Sequence, residues 1–165
     1  MNKTLETIQE IKLVGIKTRT NNQNEMSGNN AKIGPCIESY FQSGQFTLIP
    51  HRKTPGITYC AYTDYVSDYK GDYTYFIGEE VSEIPEQLPE HLHALVVKPQ
   101  TYAKFTTEQG QMPDVVIQAW QKIWELEENG SIGSKRNYAV DFELYDSRAQ
   151  DPSRSVVDIY IGIHD

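Results

Sequence analysis

A chain of 165 residues, 38% hydrophobic and 23% charged, has the composition of one folded domain with a core of its own. Its 15 basic against 23 acidic residues leave a formal charge of −8. The densest basic groups, His51-Arg52-Lys53 and Lys135-Arg136, are too small to neutralise a phosphate backbone, which argues against direct nucleic-acid binding. Two cysteines, no long apolar run and no basic-then-apolar start lead to the expectation of a cytoplasmic, membrane-free protein in which Cys36 and Cys60 are buried thiols.

Taken in order, residues 1–7 are polar and are expected to be loose. The β-branched run from about Glu10 to Thr20 reads as a strand, and Asn21 to Asn30 as a loop or the capped start of a helix. Between Ala31 and Ser43, apolar residues at Ile33, Cys36, Ile37, Tyr40 and Phe41 recur at helical spacing, and Gly44 stops the helix. After a connector to Pro55, Ile57 to Thr63 alternates as a strand. Asp64 to Asp72 is turn chemistry, and Tyr73 to Val81 is a strand with a bulge or close approach at Gly78.

A Pro- and Glu-rich stretch around 82–91 reads as a linker, after which the same order of elements returns. Leu92 to Thr107 is strand-like, interrupted at Lys98-Pro99-Gln100. Met112-Pro113-Asp114 opens a helix with Val116, Ile117, Trp120, Ile123 and Trp124 on its apolar face, and Asn129-Gly130 ends it. Tyr138 to Tyr145 and Val156 to Ile163 are the last strands. Each half, about 8–81 and 92–163, is β-α-β-β. The predicted fold is α+β, with pseudo-twofold halves sharing one antiparallel sheet. Two helices lie on one face and a ligand groove on the other.

Within Tyr138 to Tyr145, Tyr138, Val140, Phe142 and Leu144 form an apolar face, and Asp141, Glu143 and Tyr145 lie on the other. A carboxylate beside an aromatic ring on a rigid strand suits an organic cation; an ordinary solvated strand face fits the same pattern. Asp141 reads as either a second carboxylate or a solvated one. Trp120 serves equally as core or pocket lining, and Trp124 as core. His91 and His93 have no third ligand at useful spacing, and no nucleophile-elbow, phosphate-loop or dinucleotide motif is present, so no catalytic residue, metal or cofactor is expected.

Five segments carry a resemblance: Tyr59-Cys60-Ala61-Tyr62-Thr63-Asp64-Tyr65 with Tyr73 to Val81, Pro99 to Phe105, Ile117 to Trp124, and Asp141-Phe142-Glu143-Leu144-Tyr145. In this order they resemble the GyrI-like domain, the effector-binding domain of AraC-type and MerR-type bacterial transcription regulators. The resemblance implies a fold of the SHS2 type and a groove for lipophilic, often cationic compounds, multidrug-like in range. Glu143 would meet the cation, and Tyr59, Tyr75, Trp120 and Tyr145 would line the groove. With Ile11 already inside the effector domain, it implies a stand-alone version that takes part in transcription regulation only through a partner chain. Other members bind and inhibit DNA gyrase, and some relatives look hydrolytic, using a pocket Glu as base with a Tyr donor.

Overall fold

The computed structural model describes residues 1–165. Eight strands form one antiparallel sheet: β1 (Asn2–Ile8), β2 (Ile11–Thr20), β3 (Thr58–Thr63), β4 (Tyr73–Glu80), β5 (His93–Val97), β6 (Gln100–Thr106), β7 (Val140–Tyr145) and β8 (Asp158–Gly162). Three helices, α1 (Asn22–Met26), α2 (Ile33–Gln42) and α3 (Asp114–Glu128), complete the α+β fold. The strand order is β1-β6-β8-β7-β3-β4-β2-β5. Its centre is the β7–β3 seam, with β8 and β6 on one side mirrored by β4 and β2 on the other. The repeated order of elements is thus a structural repeat.

Helices α2 and α3 form where the apolar spacing placed them; α1, a third helix beyond the two expected, is a short turn capped by the Asn21 side chain with no buried residue. In α3 the residues Val116, Ala119, Trp120 and Ile123 are buried, the i, i+3, i+4, i+7 pattern of a one-sided helix. Asp114 sits in its first turn, where a carboxylate favours the helix dipole, and Gly130 follows its end at φ 73°. Cys36 and Tyr40 are the buried residues of α2, which Gly44 ends at φ 67°. Helix α2 covers Val14, Ile16, Tyr73, Tyr75 and Ile77, and α3 covers Phe105, Ile159 and Ile161. No helix is long and apolar enough to cross a membrane.

Two expectations are corrected. Residues 2–8 are not loose: they pair with β6 along their whole length, from Asn2 opposite Thr106 to Ile8 opposite Gln100. Their side chains are mostly exposed, so backbone pairing rather than burial orders them, and composition does not report it. Glu79 lies in the expected strand, β4, 2% exposed and held by a bidentate pair with Arg52 at 3.0 and 2.6 Å. Tyr138 is not in the strand; it stands at φ 52° just before it.

The sheet is rolled, and chain connectivity requires it. Only Gln9 and Glu10 separate β1 from β2, which lie near opposite ends of the strand order; only Lys98 and Pro99 separate β5 from β6. Three Cα steps reach at most about 11 Å, so the two ends of the sheet approach each other. The face away from the helices is thereby enclosed around Leu13, Tyr59, Phe76, Tyr102, Phe142 and Tyr160, with no helix residue contributing. Phe142 and Tyr160 stack there at 4.5 Å and 14°.

Between β2 and β4, Gly15 and Gly78 are register partners. A Cβ at Gly78 would stand 2.2 Å from the Val14 carbonyl oxygen, and one at Gly15 would stand 1.9 Å from that of Ile77. The expected special point at Gly78 is therefore a close approach of two backbones, without a bulge.

Candidate functional site

Strand parity decides which side chains meet. In β3, Cys60 and Tyr62 point toward the helices, while Tyr59 and Ala61 point into the enclosed aromatic face. Register then sets Cys60 against Glu143, and Tyr62 against both Tyr75 and Asp141. The carboxylate of Glu143 therefore lies at the seam between the halves, on the helix-bearing side.

Above it is a cavity of about 640 Å³, floored by Tyr62, Tyr75, Glu143 and Tyr145. Ile33 and Ile37 of α2 form one wall, and Trp120 and Trp124 of α3 the other. Tyr65 and Tyr69, from the connection between β3 and β4, close one end. At the mouth Met26 and Ile117 are 71% and 49% exposed. The groove thus opens on the helix-bearing face, and the expected placement on the opposite face is corrected: rolling of the sheet has closed that face. A smaller hollow of about 330 Å³ beside Lys3 and Phe105 has no carboxylate in its lining.

Glu143 is 2% exposed. Its Oε2 accepts hydrogen bonds from the Tyr62 hydroxyl and Trp120 Nε1, both at 2.7 Å, and its Oε1 from the Tyr145 hydroxyl at 2.6 Å. All three donors are neutral and no basic side chain pairs with it. Burial raises its pKa above the ordinary carboxylate value, and the three hydrogen bonds offset only part of that rise. Burial also holds the hydroxyls of Tyr62, Tyr75 and Tyr145 well above the usual phenol range, so they remain donors. The ring of Tyr62 meets Trp120 edge-on at 5.0 Å and Tyr75 at 5.4 Å. A carboxylate without a counter-ion, boxed by aromatic rings, can accept a cation with charge neutralisation and π contact together.

Asp141 is neither a second site carboxylate nor solvated. It is fully buried, paired with Arg136 Nη2 at 2.7 Å, and accepts from the Tyr65 hydroxyl and the Gly162 amide, each at 2.7 Å. Its charge is spent on holding the strand start. The Cys60 thiol, buried beside Glu143, is pushed well up in pKa, first by desolvation and then by that carboxylate, which makes it a poor nucleophile.

Of the residues expected at the site, Glu143, Trp120, Tyr145 and Tyr75 line the cavity. Tyr59 does not. Its ring packs on Phe142 at 5.7 Å on the other face and its hydroxyl reaches Glu80 at 3.3 Å, because odd-numbered positions of β3 point away from the helices. Tyr62 holds the place given to it, three residues on. Trp124, expected in the core, is only half-buried and stacks on Tyr69 at 5.2 Å and 9°. The tyrosines at 62, 65, 69 and 73 were missed as lining residues. Their density in and around a turn segment is the one sequence signal that marks them.

A single antiparallel sheet of eight strands with three helices is the α+β fold of the GyrI-like effector-binding class. Residues 4–163 match the family described as Cass2, integron-associated effector binding protein, and the chain belongs to that family. An integron cassette protein from the mobile metagenome of Vibrio cholerae, VCH_CASS2, is similar at 27% identity. It has a TM-score of 0.76, and the match covers 98% of this chain and 95% of that one. YobU of Bacillus subtilis (strain 168) is 26% identical over 152 residues, 92% of this chain and 91% of that protein. SAV2435, whose structure was solved bound to tetraphenylphosphonium, shares the fold at 17% identity and a TM-score of 0.72, over 99% of this chain and 94% of that one.

Proposed function

We propose that this protein binds lipophilic organic cations in the groove between α2 and α3, with Glu143 as counter-charge, and acts as a sensor or sequestering protein for them. One observation carries the reading: Glu143 is buried, satisfied only by neutral donors, and faces a cavity of about 640 Å³ lined mostly by aromatic and aliphatic side chains. An ionised carboxylate in such a place carries an uncompensated desolvation penalty. A bulky, weakly hydrated cation relieves it at little desolvation cost of its own, and excluded water strengthens the attraction. Family membership and the tetraphenylphosphonium complex of SAV2435 support the same class of ligand.

Isothermal titration of the purified protein with tetraphenylphosphonium and a rhodamine cation, against Glu143→Gln, tests the reading. Binding that is lost or weakened at least about tenfold in the variant is expected, the magnitude of one charge-assisted contact. Equal affinities in the two proteins would overturn it.

A further inference from the structure

The sheet ends on β5, and the main chain there is unpaired on one side. In β2 the Lys12 carbonyl accepts from the Val81 amide at 2.9 Å, so even-numbered positions of β2 bond toward β4 and odd-numbered ones toward β5. The register sets Ile11, Leu13 and Gly15 against Val97, Leu95 and His93, which turns the main-chain groups of those three β5 residues inward. The amides and carbonyls of Ala94 and Val96 therefore point out of the sheet. No further strand follows β5, and no turn or loop bonds to either residue. Both are exposed, Val96 at 44%.

The two ends of the sheet are guarded unequally. A free strand edge is a template for another strand, and soluble proteins protect theirs with charged side chains, prolines, bulges or a covering element. At the other end, β1 carries Lys3, which reaches the Ser131 and Ile132 carbonyls, and Glu6, paired with Lys104. The strand His93-Ala94-Leu95-Val96-Val97 has no lysine, acid or proline of its own, and its pairing with β2 runs without a bulge. Its surroundings are basic, in a chain of formal charge −8. Lys12 is the register partner of Val96 and Lys98 follows the strand. Lys17 stands close enough to His93 to add to the lowering of its pKa that burial begins. All three lysines lack a carboxylate partner; the lysines that have one are Lys53, Lys104 and Lys122. Of the acids nearby, Glu79 and Glu80 are taken up by Arg52 and Lys53, and Glu90 lies against His91 at 3.5 Å. That leaves Glu10 alone to set against the three.

We infer that β5 is a docking edge for an extended, acidic segment of a partner protein, which joins the sheet as an added strand. Main-chain hydrogen bonds to Ala94 and Val96 fix its register, and an apolar side chain of the incoming strand meets Val96. Carboxylates near its two ends meet Lys17 at one end and Lys12 and Lys98 at the other. A second copy of this chain is a poorer match, because it brings the same lysines to the seam and a second net charge of −8. No residue of β5 lines the cation groove, so this inference stands apart from the reading of that site.

The test is nitrogen–proton NMR of the whole chain with two blocked peptides. One has a Thr-Val-Thr-Val-Thr core between pairs of glutamates, and the other has the same core between pairs of lysines. In the free protein the Ala94 and Val96 amides are expected to exchange quickly with solvent while that of Leu95 is protected. With the acidic peptide, both exposed amides should shift downfield and gain protection. Its affinity should exceed that of the lysine twin at least about fivefold, the sum of several exposed ion pairs, and the gap should narrow in high salt. Lys12→Glu combined with Lys17→Glu should reverse the preference. Val96→Pro, whose lost amide makes no bond within the sheet, should abolish peptide binding and leave the resonances of the other strands in place. No binding of the acidic peptide at millimolar concentration, shifts centred away from β5, or equal affinity for the two peptides overturns the inference. Protection of Ala94 and Val96 in the free protein that grows with its concentration also overturns it, and gives the edge to a second copy.

Discussion

Cys60 and Glu143 are register partners on the β3–β7 seam, the line along which the two halves of the sheet join. Across this pair the first half supplies a thiol and the second a carboxylate. The groove is therefore symmetric in backbone and asymmetric in charge. The other carboxylate in its lining, Glu25, is taken up by the Thr20 hydroxyl and the Lys32 and Ile33 amides, so the counter-charge at Glu143 is expected to select ligands with one cationic centre. Comparing a monocationic with a bis-cationic phosphonium of equal apolar area should find the first bound at least as tightly per site, with one ligand per chain by calorimetry.

Binding should depend on pH in a direction set by the burial of Glu143. Its pKa is raised above the ordinary 4.5, so the folded state holds the proton to higher pH than the unfolded chain does. The contribution to stability is complete below about the ordinary value and is lost as pH rises through the raised one. Cation affinity runs the other way, climbing across that window because the ligand needs the ionised form. Titrations from pH 4.5 to 8 should show rising affinity and net proton release, read from buffers of different ionisation enthalpy. A flat profile in the wild type would contradict this; in Glu143→Gln it is expected.

Tyr62 and Tyr59 make a paired control. Tyr62→Phe removes one of the donors that hold the Glu143 charge in place, so the midpoint of the pH profile should move upward and affinity near neutrality should fall several-fold. Tyr59→Phe removes a hydroxyl that reaches Glu80 on the other face and should leave the profile where it was. Identical behaviour of the two variants would show the strand parity to be misassigned.

Asp141→Asn leaves the guanidinium of Arg136 buried with only Glu127 as a charged partner. Breaking a buried pair in this way costs about 3–5 kcal/mol, so the urea midpoint should drop sharply. Glu143→Gln, which removes an unpaired buried charge, should keep or raise that midpoint at neutral pH.

Gly78→Ala drives a methyl group into the Val14 carbonyl. Overpacking of this kind costs about 1–3 kcal/mol, and the contact here is backbone against backbone, so the upper end or beyond is expected in a denaturation curve. Gly15→Ala should behave alike.

Much of this was legible in the residues. Alternation and helical spacing placed the strands and helices of both repeats, and the Phe-Glu-x-Tyr segment marked Glu143. What failed did so for definite reasons. Period-two alternation separates the two faces of a strand but does not say which face a helix will cover, so the pattern alone leaves the face of Asp141 and Glu143 open between pocket and solvent, and both are buried. The choice between Tyr59 and Tyr62 turns on parity alone, and two tyrosines in one strand offer no compositional hint. Trp124 lies on the apolar stripe of α3, which here overhangs a cavity as well as a core. β1 is held by main-chain hydrogen bonds at an edge, to which its polar side chains give no witness.

The two short crossings, Gln9-Glu10 and Lys98-Pro99, have a consequence for how broad the ligand range can be. Flattening the floor would pull each crossing past its contour length, so the spacing among Tyr62, Tyr75 and Glu143 is fixed like the bed of a vice. Accommodation of larger or smaller guests falls to the jaws: α1 and α2, and the tyrosine-bearing connection from Asp64 to Asp72. Amide exchange measured with and without a bound cation should change in those upper segments and stay constant along β3, β4 and β7.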